Sequence, residues 1–241
     1  MKKFYFVGCS LTHGDDLSES ERKTSSWPAL ISKYHNAEFV NDAVPGGSNA
    51  RTVSRVLQNI NKYNRMYIQL SYINRFTFYD PKNWNEVNFV QQLNNTHYQN
   101  IDYYKTFGKY YYSCWSSVLF EFKRYLEQIV LLQSVLNQNN QSYLMIPAGV
   151  IPWSKLICEE KNFVKNLSSL IDIQNFDDFN ILKQYHEIQQ LYKQIDLTSL
   201  MNHEPHVVTM INSEFPPGPT QHFLVAGEKK FAQLILNFEK E

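Results

Sequence analysis

Phe4-Tyr5-Phe6-Val7-Gly8-Cys9-Ser10-Leu11-Thr12-His13-Gly14 decides how the rest of the chain is read. Four apolar residues form a buried strand, a glycine ends it, and a serine stands at the start of the following loop. In an open α/β sheet, ligands bind outside the carboxyl ends of the strands. A serine just past the first strand therefore stands at that edge with backbone N–H groups around it, where a nucleophile belongs.

Outward from this stretch the chain alternates strand and helix. Ser25-Ser26-Trp27-Pro28 followed by Ala29, Leu30 and Ile31 reads as a capped helix start with proline in the first turn. Glu38-Phe39-Val40-Asn41 is a second strand, Pro45-Gly46-Gly47 breaks it, and Val53, Val56, Leu57 and Ile60 recur at helical spacing. Arg65–Leu70 and Ser142–Ile146 make a third and a fourth strand, the latter preceded by a helical stretch from about Trp115 to Leu136. Gly218-Pro219 precedes a final amphipathic helix through Phe223, Leu224, Phe231, Leu234 and Ile235. Such alternation predicts a parallel sheet with helices on both faces.

No linker-like segment divides the 241 residues, 43% of them hydrophobic, so a single α/β domain over 1–241 is expected. Between about 76 and 112 the pattern dissolves into Asn, Tyr and Asp with Pro81 and Gly108. That length suits a lid or binding wall, or a helical excursion packing Tyr103, Tyr104, Tyr110, Tyr111 and Tyr112 on the main body. Ile151-Pro152-Trp153 opens another helical region.

The 23 basic and 23 acidic side chains cancel, which argues against a nucleic-acid partner. Cys9, Cys114 and Cys158 fit neither a disulfide framework nor a zinc knuckle and suit a reducing compartment. The apolar residues after Lys2 and Lys3 are too few for a signal-peptide core, and no apolar run is long enough for a membrane span. A cytoplasmic protein without membrane or nucleic-acid partners is expected. The 16 Tyr and 16 Phe offer stacking surface as well as core.

Gly8-Cys9-Ser10-Leu11-Thr12-His13-Gly14 resembles the first block of the SGNH (GDSL-type) hydrolases, with Cys9 where that superfamily often has aspartate. Asn41-Asp42-Ala43-Val44-Pro45-Gly46-Gly47-Ser48-Asn49 is similar to the second block, whose glycine N–H helps form an oxyanion hole. Leu70-Ser71-Tyr72-Ile73-Asn74-Arg75 is similar to the third, whose asparagine donates to the same oxyanion. Together with Ser26-Trp27-Pro28-Ala29-Leu30, these segments resemble a branch of SGNH-like proteins of bacteria and phages. The resemblance implies a three-layer α/β/α flavodoxin-like fold and hydrolysis or transfer of O-acyl groups, often on carbohydrates; no cofactor or metal is expected. It assigns Ser10 as nucleophile and the Ser10 and Gly46 N–H groups with Asn74 as oxyanion donors. Gly47, Asn49, His13 and Arg75 are candidate substrate contacts. Each single match is also an ordinary turn serine, turn glycine or capping asparagine; three in order after three strands carry the weight.

The last block of the superfamily reads Asp-x-x-His before the final helix, and here two registers compete. In one, His222 is the base, Pro219 occupies the aspartate position and a dyad results. In the other, Pro217-Gly218-Pro219 aligns so that Pro216 replaces the base and Glu214 the acid, leaving a crippled site. The favoured expectation is a working enzyme in which His222, or else His206, approaches Ser10 and Glu214 orients the imidazole. The second register makes a non-catalytic protein that binds a glycan or acylated ligand.

The remaining polar residues each carry a plain reading beside a functional one. His13 lines the pocket or staples its loop. Arg75 meets a substrate carboxylate or bridges Asp80. Asp15 and Asp16 cap the loop or bind a sugar hydroxyl. His203-Glu204-Pro205-His206 suggests metal ligands, but the proline breaks the helical alignment they would need. Cys9, behind a buried strand, is expected to pack.

Overall fold

The computed structural model describes residues 1–73, 75–79, 86–89, 118–147, 178–201 and 207–240. Four strands, β1 (Lys2–Val7), β2 (Ala37–Asn41), β3 (Arg65–Leu70) and β6 (Tyr143–Pro147), form a parallel sheet in the order β2-β1-β3-β6. The Met201 N–H donates to the Met145 carbonyl at 2.9 Å, and Leu200 bridges Met145 in parallel, so the chain returns alongside β6 for one residue pair.

Side-chain alternation along the strands fills a core on each face of the sheet. Tyr5, Val7, Met66, Ile68 and Met145 point to one side, where α4 (Asn49–Asn59) and α5 (Val118–Gln138) cover them through Val56, Phe122, Leu126 and Ile129. On that side Ile188 of α6 (Asp178–Tyr192) closes the layer. Phe4, Phe6, Tyr67, Leu144 and Ile146 point to the other side, against α3 (Trp27–Tyr34), α7 (Val207–Glu214) and α8 (Val225–Phe238). Trp27, Ile31, Ile211, Phe231 and Ile235 supply that layer and are almost wholly buried. At roughly 1.5–3 kcal/mol for each large apolar side chain, the two cores hold the sheet from both faces. The three-layer α/β/α expectation is met.

The helix expected at Trp27-Pro28 begins there because Ser26 accepts from the Ala29 N–H while proline occupies the first turn. The tract beginning at residue 76 opens as a two-stranded antiparallel hairpin, β4 (Phe76–Tyr79) with β5 (Glu86–Phe89), in place of the helical or irregular start expected. Phe76-Thr77-Phe78-Tyr79 is an aromatic and β-branched run, which suits a pleated strand. The tyrosines from Tyr103 to Tyr112 and the region opened by Ile151 lie outside the described residues.

In this strand order the chain moves outward from β1 in one direction and from β3 in the other. The loops after β1, β2 and β3 therefore gather at one carboxyl edge, around the point where ligand crevices form in open sheets.

Candidate active site

Ser10 opens a four-residue helical turn, α1 (Ser10–His13), at the carboxyl end of β1, and is 4% exposed. Gln69, fully buried on β3, places it: its Oε1 accepts from the Cys9 N–H at 2.9 Å and from the Thr12 hydroxyl at 3.0 Å. This close approach explains Gly8, because a Cβ there would stand 2.5 Å from Gln69 Oε1 and 2.8 Å from Thr12 Oγ1. From β2, Asn41 Nδ2 donates to the Thr12 carbonyl at 2.8 Å. The serine loop is thus tied to both neighbouring strands.

The Ser10 Oγ lies 2.6 Å from His222 Nε2, so residues 212 positions apart meet in a hydrogen bond. His222 ends a tight turn in which the Gly218 N–H donates to the His222 carbonyl at 2.8 Å and the Gln221 N–H to the Gly218 carbonyl at 3.0 Å. The carboxylate of Asp16 sits inside that turn. It accepts from the Thr220 N–H at 3.1 Å, the Thr220 hydroxyl at 2.8 Å and the His222 N–H at 2.9 Å. Thr220 Oγ1 also lies 2.7 Å from His222 Nδ1, whereas the nearest Asp16 oxygen is 3.9 Å from that nitrogen. Burial pushes the His222 imidazole below its ordinary value, with the Asp15 and Asp16 carboxylates pulling it partly back. Burial works against ionisation of Asp16 too, but the N–H and hydroxyl groups around it outweigh that and hold the carboxyl below its ordinary value.

Gly46, at φ +71°, has an N–H that donates to no acceptor among the described residues, and the same holds for the Ser10 N–H. The neighbouring Gly47 N–H is spent on the Val44 carbonyl at 3.1 Å. Arg75 lies across the Tyr72 ring, 4.6 Å from its centroid, and Nη1 donates to the Ser71 hydroxyl at 3.1 Å. Burial would raise the Cys9 thiol, but the Arg75 guanidinium, the Leu11 N–H and the Ser71 and Ser10 hydroxyls lower it below its ordinary value. Cys9 itself is fully buried, as packing requires.

The remaining expectations divide. Glu214 does not reach the imidazole: at the end of α7 its carboxylate pairs with Lys230 Nζ at 3.1 Å, with its side chain 48% exposed, so it orients nothing at Ser10. Asn49 clamps the Ser71 backbone, accepting from the N–H at 2.6 Å and donating to the carbonyl at 3.1 Å. His13 staples its loop, with Nδ1 3.0 Å from Asp15 and Nε2 3.2 Å from Arg22 Nη1. Asn74, His206 and Asp80 lie outside the described residues. Among the described residues no cluster of His, Cys, Asp and Glu could hold a metal ion, and no helix is long and apolar enough to cross a membrane.

Sequence reading missed Gln69, Asp16 as a partner of the C-terminal turn, and Thr220. A glutamine inside an otherwise apolar strand was a visible signal for the first. For the other two, the chain carries no mark joining residues 204 apart.

Among solved structures, the psychrotrophic esterase EstA from Pseudoalteromonas sp. superposes with a TM-score of 0.50 at 10% identity, covering 100% of this chain and 97% of that one. TesA gives a TM-score of 0.51 at 10% identity over 98% of this chain and 97% of that one. The likeness is one of fold, an α/β/α arrangement. No curated protein matches by sequence. A family profile described as "Family of unknown function (DUF6071)" matches residues 12–176, more than half of the chain, and the protein belongs to that family.

Proposed function

We propose that the chain is a serine ester hydrolase with Ser10 as nucleophile and His222 as general base. The observation that carries this reading is the 2.6 Å contact between Ser10 Oγ and His222 Nε2 at the carboxyl edge of the sheet. It favours the register in which His222 is the base over the one in which Pro216 has replaced it.

Ser10 Oγ attacks the ester carbonyl while its proton passes to Nε2. The N–H groups of Ser10 and Gly46, with the Asn74 amide, meet the developing oxyanion, each such donor contributing roughly 2.7–4 kcal/mol in a transition state. Collapse breaks the ester C–O bond, and Nε2 returns its proton to the leaving alkoxide. Water then repeats the sequence on the acyl-serine, releasing the acid and restoring Ser10. An acceptor hydroxyl in place of water would make the reaction a transfer. Carbohydrate O-acyl esters are the substrate class that the sequence resemblance favours, and Arg75 is the cation beside the reacting groups.

A fluorophosphonate probe and p-nitrophenyl acetate test the reading. Labelling and turnover that vanish in both Ser10→Ala and His222→Ala support it; equal labelling of wild type and Ser10→Ala, or an inert wild type, overturns it. The double variant is expected to be no slower than either single one, since the two groups act as a unit. Product analysis with acetylated saccharides separates hydrolysis from transfer.

A further inference from the structure

The structure assigns Asp16 as the group that orients His222, acting through the Thr220 hydroxyl, so that an acid from the serine's own loop replaces the one missing three residues before the histidine. This rests on the reading of Ser10 and His222 as nucleophile and base.

The argument is a count of protons. Asp16 is a carboxylate, with its side chain 5% exposed and surrounded by donors, so it can only accept. The Thr220 hydroxyl has one proton, and at 2.8 Å from Asp16 Oδ1 it gives that proton to the carboxylate. Its oxygen is then left to accept, and the group 2.7 Å away is His222 Nδ1. The ring proton therefore sits on Nδ1, which leaves Nε2 with its lone pair directed at the Ser10 hydroxyl 2.6 Å away. Fixing that tautomer is the task of a triad carboxylate. The 3.9 Å from Asp16 Oδ2 to Nδ1 is too long for a direct hydrogen bond, so threonine is the bridge.

When Ser10 attacks, its proton moves to Nε2 and stays there until the leaving group takes it. Nδ1 keeps its own proton and Thr220 keeps donating to Asp16, so no proton reaches the carboxylate. What Asp16 contributes is orientation and negative charge toward the imidazolium. The Pro219 position, where the superfamily's aspartate would stand, is thereby free to shape the turn that carries Thr220. The side chains of Asp15, Asp16 and Arg75 are the charged groups that act on this imidazole.

Thr220→Val removes the bridge while leaving the backbone N–H groups that hold Asp16. Its kcat is expected to fall by about ten-fold or more, short of the roughly 10⁴-fold lost with a directly bonded triad carboxylate. Thr220→Ser restores it. Nitrogen-15 spectra of the histidine side chains provide a second readout independent of turnover. Wild type and Thr220→Ser should show His222 with its proton on Nδ1, and Thr220→Val and Asp16→Asn should lose that preference. Wild-type kcat and an unchanged Nδ1–H signal in Thr220→Val overturn the assignment even if Ser10→Ala is inactive. An inert wild type that nevertheless shows the Thr220-dependent tautomer defeats the esterase reading and leaves the hydrogen-bond relay standing.

Discussion

The Asp16 carboxylate fills the space that a side chain on Gly218 would need: a Cβ there would stand 2.6 Å from Asp16 Cγ and Oδ2 and 2.7 Å from its Cβ. Gly218 and Asp16 are therefore one packing unit, with the C-terminal turn closed over a carboxylate from the N-terminal loop. Gly218→Ala is expected to destabilise the fold by about 1–3 kcal/mol, as overpacking does, and to slow the enzyme by moving His222. In a double-mutant cycle, Gly218→Ala should cost much less in an Asp16→Gly background, because both the carboxylate and the Cβ it strikes are gone. Equal costs in both backgrounds, read by urea denaturation, would show that the two residues do not share that space.

The second prediction concerns pH. A base works only when neutral, and burial lowers the His222 value from the ordinary 6.5. The acidic limb of kcat/KM should accordingly have its midpoint below 6.5, with activity lost only as the pH falls through that lowered value. Asp15 and Asp16 pull the value up and Arg75 pushes it down. Asp16→Asn should shift the limb to lower pH and Arg75→Gln to higher pH. The check is kcat/KM for p-nitrophenyl acetate at constant ionic strength. Shifts of the opposite sign would mean that these charges do not act on the imidazole.

Gln69 supports the serine loop from below. Gln69→Leu leaves the buried Cys9 N–H and Thr12 hydroxyl without their acceptor. The expected cost is about 1–3 kcal/mol for each orphaned group, measured by chemical denaturation, together with a fall in kcat as Ser10 drifts from His222. A variant as stable and as fast as wild type would show that the loop holds its shape without this glutamine.

The fold was legible because every β-strand of the main sheet carries its own two-face pattern: Phe4 and Phe6 face one core while Tyr5 and Val7 face the other. The Ser10 position was legible for the same reason, since a strand that stops at a glycine delivers the next residues to the carboxyl edge. His222 could be placed from its position just before the last helix. Asp16 could not, because its role is made entirely by partners at the far end of the chain and Pro219 stands where the expected acid would be. Asn49 shows a different limit. An asparagine that binds a ligand and one that clamps a backbone look identical until the Ser71 N–H is seen 2.6 Å from its oxygen. Glu214 has the right chemistry and misses the site, because α7 ends facing Lys230. At the insertion, Pro81 and the surrounding asparagines obscured a hairpin whose strands flank them.

Glu228, buried in the first turn of α8, should make stability fall with rising pH. It is wholly enclosed; Oε2 accepts from the Trp27 N–H at 2.7 Å, while Oε1 has no partner among the described residues. Burial raises its value from 4.5 to about 8, with the Trp27 N–H opposing. Below pH 4.5 the group is protonated in both the folded and the unfolded chain and costs nothing. Between 4.5 and about 8 the unfolded chain has released the proton while the folded one keeps it, so each step up in pH favours unfolding. Above about 8 both forms are ionised and the loss is complete, on the order of a few kcal/mol. Glu228→Gln keeps an acceptor for the Trp27 N–H and cannot ionise. Its melting temperature should match wild type in mild acid and exceed it in mild alkali. Parallel melting curves for the two proteins across that range would mean that Glu228 carries its charge in the folded state at little cost.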